Sequence, residues 1–541
     1  MDQLLAWFWS HVPVLSVLLP ALTAVGLVLI GDPQGEDTPS RRVSLQRVLS
    51  IGAVVLGLLM SVALVQHAQS GEIVVYRVGE WAAPFGIVLI LDRLSALMLL
   101  LTHVVALPAL LYACAGWDRR GRFFHALFQF QLMGLCGAFV TGDLFNLFVF
   151  FEILLIASYV LLLHGLGADR LRKGLHYVIL NLAASALFLI GLALIYALTG
   201  TLNMADVALK VSAMTGTDAY LAQSAAFMLL VVFGLKAAIV PLYFWLPSTY
   251  AVASAPVATL FAIMTKVGIY SIIRVHAVIF AGLTPTALSV DDWLLPLALI
   301  SSLLGILGAL AARTLKRMVA YLTVSSVGTI LAGVGLFHPQ GLSAALYYMI
   351  HSTVVIAGLF LLVEWIAKQR GDAFDDLRPA TEVREPLLLG LLLLFAAASV
   401  AGLPPLPGFL GKLMLLQSAL HHPLQVWFFG VVIVVGFLGL VGLARAGVIL
   451  FWHVEPAATD CEPSTPTPKL LIISTVGILS LGVTIAVSAA HLKHYTDATA
   501  AQLLNRQPYY ESVLPESGGA HAVTTRPYDG QRPALPVKGA H

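Results

Sequence analysis

The sequence predicts an all-α polytopic membrane protein of about fourteen transmembrane helices. Composition is the first reason. Of 541 residues 59% are hydrophobic and only 11% charged, against about 25% charged in a soluble domain, and mean hydropathy is +0.91. The second is the recurrence of apolar runs of about 20 residues, the length that crosses a bilayer. The third is that the basic residues collect in every second link between runs.

The runs lie near residues 10–30, 48–67, 91–114, 123–141, 144–165, 175–199, 224–247, 254–279, 294–312, 317–337, 341–367, 385–420, 427–452 and 469–492. The chain starts Met1-Asp2-Gln3 with neither a basic segment nor an A-x-A site, so the first run reads as an anchor and not a cleaved signal. Before the third run, Ile73–Val78 alternates like a strand. The run at 385–420 is long for one span and contains Gly402-Leu403-Pro404-Pro405-Leu406-Pro407-Gly408, which predicts a broken helix. After Lys493 the chain is polar with Pro and Gly, and is expected to be extended or disordered. With the N-terminus outside, the inside links carry eighteen of the thirty Lys and Arg, among them Arg119, Arg170, Arg313 and Arg378. The outside links and helix ends carry Arg77, Arg93, Lys210 and Arg274. The basic-inside rule then puts both termini outside.

Several classes are excluded. A net charge of +2 suggests no nucleic-acid partner. Cys114, Cys136 and Cys461 are far apart and form no CxxC, so no metal site or disulfide framework is implied. There is no GxxxxGK[ST], and no GxGxxG follows a strand. No cofactor is expected, and energy for transport must come from an ion gradient or a partner subunit.

The chemistry is sought among polar residues inside the runs. Lys236, in GLKAAIVP, is about twelve residues from either end of its run, too deep to snorkel easily. A cation there costs about 3 kcal/mol on insertion scales. Pro241, one turn on, removes a backbone donor and predicts a break near the lysine. Glu152 lies mid-run in LFNLFVFFEILLIASYVLLL and needs a partner, for which Lys236 is the natural candidate. Lys266, Tyr270 and Arg274 are spaced i, i+4, i+8 and share one helix face. Lys266 reads as functional, whereas Arg274 reads as packing and reaching the interface. Tyr321, Ser325 and Thr329 form a second such stripe, as hydroxyls that bond helix to helix. His351 is mid-run with Tyr347 one turn before it, and suits either a relay or a structural hydrogen bond. Asn181 and Ser185 read as structural. Lys412 follows the break at Pro404, Pro405 and Pro407. A broken helix with a lysine in each half points to repeats and a midplane site, although the proline follows Lys236 and precedes Lys412.

The segments FFEILLIASYVLL, GLKAAIVPLYFWLP with SAPVATLFAIMTKVGIY, and AGLPPLPGFLGK resemble the large antiporter-like subunits shared by respiratory complex I and the multisubunit cation/proton antiporters. The resemblance covers about residues 85–450. It implies fourteen helices, two inverted five-helix repeats, and breaks in helices 7 and 12. The domains would be residues 1–114 (helices 1–3), 115–279 and 280–452 (the repeats), and 453–541 (helix 14 and tail). Carried over by motif, the proton-transfer residues are Glu152, Lys236, Lys266, His351 and Lys412. PFGIVLILDRLSALMLLL and QLLNRQPYYESVL are most similar to D-type subunits of the Mrp/Pha antiporters. One departure is that HSTVVIAGLFLL lacks the lysine many relatives carry after the eleventh-helix histidine, which leaves His351 more of the work.

The resemblance implies a subunit of a bacterial inner-membrane antiporter exchanging Na⁺ or K⁺ for protons. It would not be an enzyme, and its partners would be a large A-type subunit and small hydrophobic subunits. The alternatives are a proton-pumping subunit of an NADH:quinone oxidoreductase or membrane-bound hydrogenase, and a non-conducting scaffold.

Overall fold

The computed structural model describes residues 2–31, 41–283, 289–455 and 467–514. The chain enters through two peripheral helices, α1 (Asp2–Ile30) and α2 (Arg41–Ala68). The alternating stretch is a strand, β1 (Val74–Arg77), paired antiparallel with β2 (Val88–Leu91). Helix α3 (Arg93–Ala113) starts where the Asp92 carboxylate accepts the Ser95 N–H at 2.9 Å. Then come α4 (Phe124–Val140), α5 (Leu144–Leu163), α6 (Ala168–Thr199) and a short helix the hydropathy does not signal, α7 (Met204–Ser212). Asp143 caps α5 and Asn203 caps α7, each filling one of the orphan amides of a helix start.

The next span is interrupted, as Pro241 predicts: α8 (Gly216–Ala237) ends and α9 (Trp245–Val252) resumes after a 3-10 turn. Ala238 takes the left-handed conformation at φ 64° and closes α8. The freed backbone groups are met by side chains. Trp245 Nε1 donates to Leu235 O at 3.0 Å, and Val240 N–H donates to Ser301 Oγ at 2.8 Å. Such satisfaction is what permits irregular backbone at membrane depth.

Helix α10 (Ala255–Arg274) is buried along its whole length and passes into a π turn at Val275–Ile279. After it come α11 (Val290–Leu310), α12 (Leu315–Val334) and α13 (Pro339–Gln369). The second interruption lies between α14 (Pro386–Ala401) and α15 (Pro407–Ser418). Gly402, at φ 85°, supplies the left-handed residue that ends α14. Pro404 and Pro405 lie in the gap, whereas Pro407 opens α15 as its first residue, where a missing N–H costs nothing. Helices α16 (Gln425–Phe451) and α17 (Lys469–Val487) complete the membrane region, followed by α18 (Ala489–Leu504) and α19 (Gln507–Val513).

Among the described residues, twelve helices are long and apolar enough to span a bilayer, counting Gly216–Val252 as one. Two shorter apolar helices, Phe124–Val140 and Pro386–Ala401, fall below that length. The latter, at 16 residues, is about 24 Å long and falls short of a hydrocarbon core of about 30 Å; α15 continues its span. The chain is a multi-pass membrane protein with α10 and α13 at its centre.

The expectation of an extended tail after Lys493 is overturned as far as residue 514. Tyr495, Thr496, Thr499, Ala500 and Leu503 recur at helical spacing and are buried. Tyr495 Oη donates to Arg93 O at 2.9 Å, and Gln502 Oε1 accepts the Arg93 N–H at 3.1 Å. Tyr509 and Val513 fill a small apolar cluster with Ala83, Val88, Ile90, Ala205 and Val278. The remainder of the tail lies outside the described residues.

Candidate functional site

The five proton-transfer candidates are carried by five helices, α5, α8, α10, α13 and α15, and tight glycine contacts join several of them. A Cβ on Gly268 of α10 would lie 2.6 Å from Ala237 N, so α10 meets α8 backbone to backbone beside Lys236. Thr259 of α10 donates to Ala357 O of α13 at 3.2 Å. A Cβ on Gly408 would lie 1.8 Å from Ser399 O and 2.9 Å from His351 Nε2. The start of α15 is therefore wedged between the end of α14 and His351 of α13.

Lys236 lies in the last turn of α8, 6% exposed. Its Nζ donates to Asn181 Oδ1 of α6 at 3.2 Å and sits 5.8 Å from the centroid of the Phe151 ring. Glu152, half-buried on α5, accepts a hydrogen bond from Ser185 Oγ, also of α6. The direct Glu152–Lys236 ion pair expected from the sequence is therefore not formed; two neutral residues of α6, one turn apart, hold the two charges instead. The reading of Asn181 and Ser185 as merely structural does not describe these contacts.

Lys266 is wholly buried in α10 and donates to Thr265 Oγ1 at 3.3 Å. Tyr270 Oη donates to Phe139 O at 2.8 Å and accepts from Arg274 Nε at 3.2 Å. Arg274 does not reach an interface. Its guanidinium is buried and grips Asp92 through both carboxylate oxygens at 2.5 and 2.8 Å, with Ser95 at 3.1 Å. Sequence reasoning missed Asp92. Its one signal was a carboxylate in the closing turn of VLILDRLS, where it doubles as the cap of α3.

In the stripe Tyr321, Ser325, Thr329, the two smaller hydroxyls bond one helix to another. Ser325 donates to Ser302 O and Thr329 bonds Ser302 Oγ, both at 2.9 Å, which ties α12 to α11. Tyr321 lies under the Arg317 guanidinium at 5.9 Å. Tyr347 Oη is buried without a hydrogen-bond partner.

His351 and Lys412 line a cavity of about 20 Å³ together with Ser325, Ser326 and Ser352. That is room for one water molecule among polar groups. Ser326 and Ser352 escaped the sequence reading because a lone serine in a helix has no periodic signal. Lys412 Nζ donates to Val400 O at 2.9 Å and Ala401 O at 2.8 Å, the open carbonyls of α14. This resolves the mismatch in proline order. Each lysine sits at the carbonyl end of an interrupted helix, where a cation is favoured. Lys236 belongs to the helix that ends, whereas Lys412 reaches back from the one that follows.

One cluster at the α3–α4 link has metal-ligating residue types. Cys114, Asp118 and His125 bring ligand atoms within 4.8 Å of one another. Arg47 already engages both Asp118 oxygens at 2.6 and 2.8 Å, and His125 Nε2 is 3.2 Å from one of them. Burial works to raise the Asp118 carboxyl, but these bonds from His125 and Arg47 outweigh it and hold it below the ordinary value. Burial, and then Asp118, push the Cys114 thiol up to about 12, so it is a poor thiolate donor. The cluster acts as a buried charge network that pins α2 to the α3–α4 link.

Residues 141–439 match the family model described as "NADH:quinone oxidoreductase/Mrp antiporter, TM". The chain is 39% identical to a Rhizobium meliloti (strain 1021) protein named as a probable K(+)/H(+) antiporter subunit of the D type, over 93% of this chain and 98% of that one. It is 35% identical to the Na(+)/H(+) antiporter subunit of the same type from Bacillus subtilis (strain 168), over 93% and 99%. Among solved structures it resembles a chain of the Mrp complex from Dietzia sp. DQ12-45-1b, with a TM-score of 0.82, 29% identity, and coverage of 94% and 99%. A chain of respiratory complex I from Thermus thermophilus shares the fold, with a TM-score of 0.73 at 24% identity over 91% and 99%.

Proposed function

Because the chain belongs to the NADH:quinone oxidoreductase/Mrp antiporter family of membrane subunits, we propose that it is the proton-translocating D-type subunit of a multisubunit monovalent cation/proton antiporter. It moves protons along Glu152, Lys236, Lys266, His351 and Lys412, in exchange for Na⁺ or K⁺ carried by the complex. Its partners are a large A-type subunit and small hydrophobic subunits, in a bacterial inner membrane.

The observation that carries this reading is the placement of Lys236 and Lys412. Both are buried, both sit at the carbonyl end of an interrupted helix, and buried Lys266 and His351 lie on the two central helices between them. A lysine taken out of water can lose its proton at modest cost, and an approaching carboxylate restores the charge. Glu152 approaching Lys236 keeps the lysine protonated; its departure lets the proton move on. The cavity beside His351 and Lys412 supports the last transfer, since one water with serine hydroxyls around it bridges a histidine and an amine. The two interruptions are the corresponding elements of two inverted repeats, residues 115–279 and 280–452.

The test is cation-dependent proton exchange in everted vesicles, comparing wild type with Lys236→Ala and Glu152→Ala at matched amounts of assembled complex. Loss of exchange in both, roughly tenfold or more, is the expected result. Wild-type exchange in both would move proton transfer to another subunit and leave this chain a scaffold.

A further inference from the structure

The contacts of Glu152 and Lys236 raise a question that their charges alone do not. Two opposite charges in a low-dielectric interior attract strongly, yet here each is bound to α6. Ser185 donates to Glu152, and Asn181 accepts from Lys236. Asn181 is 1% exposed and Ser185 7% exposed, so both are inside the fold. Asn181 is also oriented. Its Nδ2 donates to Tyr177 O at 2.8 Å, which turns the amide oxygen towards the lysine. The hydroxyl and the amide thus present the polarity each charge requires, a donor to the carboxylate and an acceptor to the ammonium.

The geometry points to α6 as the third member of the switch. Asn181 and Ser185 are positioning residues that hold Lys236 and Glu152 apart in the open state and are exchanged for each other's charge when the pair closes. This rests on the proposed role of the Glu152–Lys236 pair. A pair with no alternative partners would stay closed, because separating two buried charges with nothing to replace either contact is costly. A neutral acceptor for the lysine and a neutral donor for the carboxylate make the open state accessible. Both must be weaker than the ion pair, which explains neutral residues rather than a second carboxylate or a second cation. One helical turn separates them, so a small shift of α6 along its axis loosens both contacts together.

The test uses the assembled complex in everted vesicles at matched amounts, with Lys236→Ala as reference. Ser185→Ala removes the donor, and exchange is expected to fall at least tenfold. Ser185→Thr restores a hydroxyl, and exchange is expected within threefold of wild type. Asn181→Asp is nearly isosteric but gives Lys236 a permanent charged partner, and exchange is expected to fall at least tenfold. In a Glu152→Gln background, Ser185→Ala is expected to change the residual rate by less than twofold, because the group it serves is gone. Wild-type rates in Ser185→Ala and Asn181→Asp, with Lys236→Ala inactive, would overturn the role of α6 and leave the relay standing. Equal losses in Ser185→Ala and Ser185→Thr would also overturn it, since the position would then respond to volume and not to the hydroxyl. Retained exchange in Lys236→Ala would overturn the relay itself and the role of α6 with it.

Discussion

A lysine ammonium has three hydrogens to place and, at the middle of a membrane, no bulk water to receive them. Lys412 places two on the carbonyls of α14, Lys236 places one on Asn181 and Lys266 places one on Thr265. Lys412 is thus the most firmly held of the three. The lysines themselves were legible in the sequence because a charge in an apolar run is conspicuous. Their partners were not, because an asparagine or serine in a helix looks the same whether it glues helices or holds a charge. Asp143 is a clearer case at the edge of the membrane. It caps α5, and burial pushes its carboxyl up to about 6 against the opposing bonds from Asn146 and Phe145. Between its unfolded value of about 4 and its folded value, the folded chain holds the proton more tightly. Stability therefore falls as pH rises through about 4 to 6 and is flat above. The span corresponds to about 3 kcal/mol. Asp143→Asn keeps a good cap and removes the titration. Thermal unfolding of the purified protein at pH 4.5, 6 and 7.5 is expected to show a smaller decline for Asp143→Asn than for wild type. Equal slopes would mean that Asp143 titrates as an ordinary carboxylate.

Interrupted helices were readable as elements because proline and glycine announce them, and both breaks fall where GLKAAIVP and GLPPLPG placed them. Helix α18 was not readable, because its buried stripe is Tyr495, Thr496, Thr499, Ala500 and Leu503. Threonine and alanine do not register as a hydrophobic face, although they pack as one once α13 and α3 supply a surface. Helix α7 is missed for a related reason: nine residues are too few for any run of spanning length. What positions the site is the close approach of elements, and glycines mark it. Gly268→Ala inserts a methyl 2.6 Å from Ala237 N and 2.8 Å from Phe233 O, against backbone that cannot swing aside. The change is expected to destabilise the protein by about 1–3 kcal/mol and to slow exchange, since α8 carries Lys236 and α10 carries Lys266. Gly430→Ala in α16 meets nothing within 4 Å and is expected to be neutral or slightly stabilising, as alanine replaces glycine in a helix. Detergent-solubilised melting curves for the two variants test this. Equal melting temperatures would show that α8 and α10 can separate freely.

At the scale of the whole molecule, polar fastenings sit at the two ends of the helices and differ in kind. One end gathers cations. Arg47 binds Asp118, Lys316 binds Glu364 at 2.6 Å, and Arg120 and Arg170 both stack on Trp117, at 5.1 and 4.8 Å. Arg170 also donates to Val252 O at 3.0 Å, which brings the α5–α6 and α9–α10 links to this same end. The other end holds the strand pair, the Asp143–Asn203 bridge, the buried Asp92–Arg274 pair and α18. A span drawn across a membrane keeps its excess of Lys and Arg on the cytoplasmic side, which predicts that the Trp117 end faces the cytoplasm and that α7 and α18 lie outside. Exposed positions on the two ends make this measurable. Thr217 opens α8 on the α7 side, and Asp372 follows α13 on the side of Lys316. With Cys114, Cys136 and Cys461 replaced, a membrane-impermeant maleimide applied to intact cells is expected to label Thr217→Cys. It is expected to reach Asp372→Cys only after permeabilisation. The two sites lie at opposite ends of the same bundle, so their labelling must be opposite whichever way the chain is inserted. Label on Asp372→Cys alone in intact cells would invert the orientation and with it the side from which the relay takes its protons.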